Sequence, residues 1–277
     1  MNPGLSPGEV EHFRGLIYRH YQSHKREMPW RRTRDPYHIL VSEIMLQQTQ
    51  VERVLGKYGE FLERFPDLAT LARVPWPEVL AVWQGLGYNR RALALKRLAQ
   101  AVMAAWGGHL PDNEEDLRTL PGIGPATAGA LLAFAFEQPV AFIETNIRRV
   151  FLHFFFAQQQ GVKDREILPL VEETLDRERV RAWYYALMDY GAALKKLGPN
   201  PNRRSAHYAR QSPFYGSNRE VRSLILKTLL TESVDSLEEL ARNIGRPKAR
   251  TRTALEQLLA EGFVWREGEQ LRLASRV

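Results

Sequence analysis

The run Leu120-Pro-Gly-Ile-Gly-Pro-Ala-Thr-Ala128 constrains the fold more than any other stretch of the chain. Two glycines at i and i+2 permit a tight turn between helices and let another molecule approach the backbone closely. The run leads straight into a small, apolar helix expected over Ala126 to Phe136. Amides of such a turn, at the start of the next helix, point outward and can hold a phosphate. A G-x-G on its own is more often a bare corner between two helices. The nucleic-acid reading therefore has to be supported by the rest of the chain.

The first support is charge. Lys and Arg outnumber Asp and Glu by 39 to 32 in 277 residues, and a cationic excess suits a polyanionic partner because it displaces counterions condensed on phosphates. Hydrophobic residues at 44% and charged residues at 26% describe a globular chain rather than a disordered one. No apolar run approaches the length of a membrane span, and the N-terminal segment lacks a secretory apolar core. The expectation is a cytoplasmic protein without membrane contact. There are no cysteines, which excludes disulfides, thiolate catalysis and cysteine-ligated metals.

Helical periodicity dominates the chain. Helices are expected over His12 to Tyr21, over Pro36 to Leu46 with Asp35 as N-cap, and over Asn146 to Phe156. Short breakers such as Pro75-Trp76-Pro77 and Gly85-Leu86-Gly87 separate further helices. From Ala192 to Asn218 the chain turns Pro- and Gly-rich, with five Lys or Arg and no acid, as an irregular excursion and linker would. Helices over Val221 to Thr231, after Ser236 and from about Lys248 to Glu261 follow. The segment FVWREGEQLRLA then alternates and turns at Glu267-Gly268, as a β-hairpin does. Three helices and a hairpin suggest a winged helix-turn-helix module.

Four motifs occur in order: VSEIMLQQTQV (Val41 to Val51), GLGYNRRA (Gly85 to Ala92), LPGIGPATAGALL (Leu120 to Leu132) and ETNIRRV (Glu144 to Val150). Together they resemble the helix-hairpin-helix DNA glycosylase superfamily over residues 25 to 192, and within it the MutY-type adenine glycosylases. The resemblance implies an all-α fold of two helical subdomains with a cleft between them, plus the C-terminal winged-helix-like module. One subdomain would take residues 1–29 and 138–216, a six-helix barrel with the hairpin residues 30–137, and the winged helix residues 217–277.

The resemblance also implies two catalytic carboxylates. Glu43 matches the acid that protonates N7 of an extruded adenine, and Glu144 the carboxylate that faces the deoxyribose. Cleaving an N-glycosidic bond builds positive charge on the sugar and negative charge on the leaving base, so one carboxyl must donate a proton and the other must be ionised. Burial is expected to raise the first; amides and a helix N-terminus are expected to keep the second anionic. An exposed helix acid is the competing reading for Glu43, and a helix-capping acid for Glu144. Glu144 departs from the family, which carries Asp there.

Ala126 stands where lyase relatives carry a Schiff-base lysine and adenine glycosylases carry Ser or Tyr. Alanine cannot form an imine, so the expected enzyme releases the base and leaves the abasic strand intact. Gln48 and Tyr88 match wedge residues, with Tyr88 expected to be exposed, while Thr49 and Leu86 would meet the opposite base. Arg26, Met28, Trp30, Arg31, Leu46 and Asp189 match positions near the extruded base; for Trp30 and Leu46 plain core packing competes. Gly122, Gly124 and Ala126 belong to the DNA-binding hairpin. Where relatives carry four cysteines spaced C-x6-C-x2-C-x5-C, this chain has Lys195, Asn202, Ser205 and Gln211. No iron–sulfur cluster and no other cofactor is expected, although the hairpin leaves room for a monovalent cation. Arg203, Arg204 and Arg210 remain candidates for DNA contact, as does RPKARTR (Arg246 to Arg252); a solvated loop and a packing module are the respective alternatives.

The reading is a monomeric, nucleoid-associated glycosylase that flips and excises a mispaired base from double-stranded DNA. Adenine opposite guanine or 8-oxoguanine comes first. Residues 219 to 277 are expected not to form the nudix-like domain that senses 8-oxoguanine. A thymine or uracil mismatch glycosylase is the rival, favoured by Ala126 and Glu144; a non-catalytic winged-helix DNA-binding protein is the second.

Overall fold

The computed structural model describes residues 4–275. In chain order the helices are α1 (Pro7–His24), α2 (Pro36–Leu46), α3 (Val51–Arg64), α4 (Leu68–Arg73), α5 (Trp76–Trp83), α6 (Arg90–Trp106) and α7 (Glu114–Thr119). There follow α8 (Pro125–Phe134), α9 (Thr145–Phe154), α10 (Asp164–Thr174), α11 (Val180–Leu197), α12 (Asn218–Thr231), α13 (Leu237–Asn243) and α14 (Lys248–Ala260). Short 3-10 turns occupy Pro29–Arg31 and Pro201–Arg204, and a hairpin of β1 (Val264–Glu267) and β2 (Gln270–Leu273) closes the order. No helix among the described residues is long and apolar enough to cross a membrane.

Local chemistry sets the helix ends. Ser6 and Glu9 form a reciprocal capping box, with the Ser6 amide donating to Glu9 at 2.8 Å, and α1 therefore starts at Pro7 rather than near His12. Asp35 caps α2 as expected, its Oδ1 accepting from the amides of Tyr37 at 2.8 Å and His38 at 3.1 Å. Helices α8 and α9 each stop two residues short of the sequence expectation, at Phe134 and Phe154.

The chain divides into two compact units. One comprises the chain up to Glu43, Pro111–Thr119 and Ile123–Arg210. In its core α11 packs on α9, and Phe13 meets Phe151, Phe154, Phe155 and Trp183 with ring centroids 5.1–5.9 Å apart. Full burial of the Phe13 and Phe151 rings contributes about 1.5–3 kcal/mol each. Helices α9 and α11 approach so closely at Gly191 that a Cβ there would lie 2.4 Å from the carbonyl oxygen of Asn146.

The other unit comprises Ile44–Leu110, Leu120–Gly122 and the chain from Gln211 onward. The C-terminal helices and hairpin thus form one unit with α3–α6. Trp76 of α5 meets Phe263 edge to face at 5.5 Å, and Glu261 bridges Arg90 of α6 and Arg222 of α12. The hairpin pairs Glu267 with Gln270 around Gly268, and Val234 adds a bridge to Leu271. Three helices, a hairpin and that extra bridge have the form of a winged helix.

Candidate active site and nucleic-acid interface

Both carboxylates implied by the sequence lie in the first unit. Glu43 stands on α2 between the buried Ser42 and Ile44, with Leu40 and Met45 also buried nearby in the chain. Glu144 is the N-cap of α9: its Oε1 accepts from the amides of Asn146 at 2.7 Å and Ile147 at 2.8 Å. Its Oε2 receives Asn146 Nδ2 at 3.2 Å. Each residue stays partly accessible, while its carboxyl is embedded in protein.

Burial first, then the neighbouring Glu144 carboxylate, pushes Glu43 up from an ordinary 4.5 to about 8; Arg31 opposes the shift. Burial is also the largest influence on Glu144 and raises it, against the two amides and the cations Arg149 and Arg148. The sequence implies an anion favoured by amides and a helix N-terminus; the amides are present, and burial works against them. Still, Glu144 has the anion-favouring hydrogen bonds and Glu43 has the like-charge repulsion. Those hydrogen bonds favour the anion at Glu144, and the like charge beside Glu43 favours its protonated form.

Asp189 of α11 is buried and organises the neighbouring cations. It accepts Arg26 Nε at 2.6 Å, the Arg26 amide at 3.0 Å, and both Arg31 terminal nitrogens at 2.8 and 2.9 Å. Although burial pushes Asp189 up, Arg31 and Arg26 outweigh it and hold the carboxyl below the ordinary range. Arg31 lies over the Tyr185 ring at 4.5 Å, and that ring stacks on Phe134 at 4.6 Å. Met28 and Trp30 are buried beside this cluster in sequence, at 5% and 4% exposure, so neither offers a large free surface. Leu46 ends α2 one turn beyond Glu43 and belongs to the second unit.

Sequence reasoning passed over the support behind Glu144. Asn146 Oδ1 accepts from Arg149 Nη1 at 2.7 Å; the buried Arg149 also donates to the Gly191 carbonyl at 2.6 Å and to Asn200 at 3.1 Å. Both residues stood in ETNIRRV, and the two polar residues following Glu144 on one helical turn were the available signal. Tyr185 gave none beyond its place four residues before Asp189, one turn apart on α11.

The hairpin residues behave as their types require. Gly122 has φ of 83°, a left-handed conformation that favours glycine, and Gly124 is the extended N-cap of α8. Ala126, in the first turn of α8, carries no side-chain nitrogen.

In the second unit the wedge candidates Gln48 and Tyr88 both have left-handed backbones, φ 54° and 48°. Gln48 is exposed. Tyr88 is half-buried instead of free: its hydroxyl accepts from Arg219 at 2.6 Å and from Gln211, and both Arg91 and Arg219 lie over its ring. Thr49 accepts from Arg91 at 2.8 Å, and Leu86 is 3% exposed. Arg91 donates to the carbonyls of Ile44 and Met45 at 2.8 Å each and to that of Gln47. Burial pushes Arg91 down to about 10, which leaves it cationic at neutral pH.

The basic segments are less free than their sequence suggests. Arg203 is exposed, whereas Arg204 donates to the Ala157 carbonyl at 2.6 Å. Arg246 pairs with Glu220 at 2.6 Å, and Lys248 pairs with Glu238; Arg252 is exposed. At the positions where relatives carry cluster cysteines, the residues do not fit an iron–sulfur cluster, having no thiolate. Asn202 is instead buried and donates to the Thr145 carbonyl at 3.0 Å, and residues 204–206 pair with Val162.

The HhH-GPD superfamily of base excision DNA repair proteins matches residues 41–173. The adenine DNA glycosylase of Mycolicibacterium smegmatis is 32% identical over 267 residues, 88% of this chain and 89% of that protein. The chain belongs to this superfamily of helix-hairpin-helix base-excision repair proteins. Within the superfamily it is also similar to the adenine DNA glycosylase of Buchnera aphidicola subsp. Baizongia pistaciae, at 34% identity over 183 residues, 64% of this chain. The chain spans about half the length of that relative, 50%. The solved structure of a thermostable thymine-DNA glycosylase superposes with a TM-score of 0.60 at 29% identity, over 66% of this chain and 86% of the other.

Proposed function

We propose that the chain is a monofunctional DNA glycosylase that extrudes and excises a mispaired base, adenine opposite guanine or 8-oxoguanine first. The observation that carries this reading is Glu43 raised to about 8 beside the capped Glu144. Such a pair supplies an acid in Glu43 and, in Glu144, the carboxylate whose anion the two amides favour. Glu43 donates its proton to N7 of the extruded adenine, the C1′–N9 bond breaks with its electron pair going to the base, and positive charge develops on the sugar. Glu144 faces that charge, and water adds at C1′ with loss of a proton to the anionic carboxylate. With Ala126 in the hairpin no amine is supplied there to displace water, so the product is an intact abasic strand. The hairpin turn at Gly122 and Gly124 supports a phosphate contact, and Asp189 supports the placing of Arg26 and Arg31 at the base.

Excision of thymine from a T:G mismatch is the second reading, favoured by the likeness to the thymine-DNA glycosylase. One panel of duplexes separates the two: A:G, A:8-oxoguanine, T:G, U:G and hypoxanthine, each scored with and without alkali. Release of adenine alone supports the first reading. Release of thymine without adenine overturns it, because proton donation to N7 requires a purine. Tight duplex binding with no base released from any substrate overturns both.

A further inference from the structure

We infer that Arg219 of α12 is a positioning residue for Tyr88, so that the C-terminal module sets the ring that pries the base stack. The inference rests on the proposed glycosylase reading for what Tyr88 does, and on geometry alone for what Arg219 does to it. Tyr88 has φ of 48°, a conformation unusual for a bulky side chain, which persists where its surroundings over-determine it. Here they do. Arg91 lies over the ring at 5.3 Å, and it also donates to the carbonyl of Gly87 at 3.2 Å and to Thr49. It thereby ties the loop of Gln48 to the loop of Tyr88. Arg219 also lies over the ring, at 5.1 Å, and its Nη1 donates to the hydroxyl at 2.6 Å. The hydroxyl accepts a further hydrogen bond from Gln211.

Arg219 is itself held in place. Its Nη2 donates to the Ser212 carbonyl at 2.6 Å, and Ser217 caps α12 by accepting from the Glu220 amide. Helix α12 is pinned in turn: Arg222 and Arg90 both form two hydrogen bonds with Glu261 at 2.6–2.9 Å. Burial would raise Glu261, but the two guanidinium groups outweigh it and hold the carboxyl at about 2, so this link is charged throughout the physiological range. A chain from α6 through Glu261 and α12 to Arg219 therefore ends on the Tyr88 hydroxyl. Nothing about RPKARTR would have indicated it, since Arg219 lies at the start of the module's sequence.

The test uses the full chain and the variants Arg219→Ala, Arg219→Lys and Tyr88→Ala. Base extrusion is followed by the fluorescence of 2-aminopurine at the target position, and release by single-turnover excision. Arg219→Ala should slow both about tenfold with duplex affinity within about twofold, because a charge-assisted hydrogen bond and a cation–π contact are lost together. Arg219→Lys keeps a cation and a donor and should stay within about threefold of the native rate. In a Tyr88→Ala background Arg219→Ala should add nothing. Faster extrusion by Arg219→Ala would overturn the inference, since the clamp would then restrain Tyr88 from the stack. Native rates in Arg219→Ala would overturn it equally. A DNA-free arm reads the contact itself, through the 19F resonance of fluorotyrosine at position 88. That resonance should move and sharpen in Arg219→Ala, and an unmoved resonance overturns the inference. If the native chain extrudes and releases no base, the glycosylase reading falls, while the 19F arm still decides whether Arg219 holds Tyr88.

Discussion

Replacing Glu43 by Gln keeps the side chain's shape and removes its ionisable proton. With a folded value of about 8 against an ordinary 4.5, ionisation of Glu43 works against the fold. Below pH 4.5 the carboxyl is protonated in both states and costs nothing. Between pH 4.5 and 8 the unfolded chain gives up the proton and the folded one retains it, so stability falls; above pH 8 the loss is complete. At about 1.4 kcal/mol for each tenfold in proton affinity the limit is near 5 kcal/mol. The carboxyl is embedded but the residue as a whole is partly accessible, and solvent reaching it on ionisation reduces the expected value to about 2–3 kcal/mol. Glu43→Gln should therefore lie within about 1 kcal/mol of the native protein at pH 5 and be about 2–3 kcal/mol more stable at pH 8.5, read from urea midpoints at each pH. The same variant should lose adenine excision while still binding duplex, because the proton is needed in the transition state and not in the encounter. Native excision should fall about tenfold for each pH unit above 8 as Glu43 loses its proton, and should also fall on the acid side as Glu144 is protonated. A stability gain of equal size at both pH values would refute the reasoning, since the carboxyl would then not titrate between them.

Three further outcomes are expected. Glu144→Asp should leave the α9 cap within about 0.5 kcal/mol, as Asp is a good N-cap. It should lower single-turnover excision by tenfold or more, because withdrawing the carboxylate by about 1 Å can cost a hundredfold; a native or faster rate sinks this account of the longer side chain. Product strands should appear only after hot alkali, and borohydride should trap no protein–DNA adduct, given Ala126 in the hairpin. Gly191→Ala should lose about 2–3 kcal/mol in a melting experiment, since its Cβ would fall 2.4 Å from a backbone oxygen that cannot move aside cheaply. A melting temperature within 1–2 °C of native would show that α9 and α11 can separate at little cost.

Much of the site was legible because its parts are local. Asp35 and Glu144 each stand one residue before a helix, and an acid there accepts the first free amides whatever the rest of the chain does. The turn at Gly122 and the hairpin turn at Gly268 follow from residues that alone adopt positive φ without strain. The apolar residues around Glu43 in sequence were enough to imply that its carboxyl would be buried and raised. The family motifs are contiguous runs, so they were readable without knowing which elements meet.

What the sequence by itself determined is therefore the helical class, the cap residues, the turn glycines, the winged-helix order and the exclusion of a cysteine-held cluster. Tertiary structure alone decided the balance of forces on groups far apart in the chain. Glu144 lies above the ordinary range because desolvation by neighbours outweighs two local amides. Asp189 lies below it because Arg26 and Arg31, more than 150 residues away, converge on it. Tyr88, flanked by glycine and polar residues, read as exposed, and became half-buried when Gln211 and Arg219 reached it across 123 and 131 residues. Electrostatic and desolvation energies depend on distance and burial in space, which spacing along a sequence does not encode.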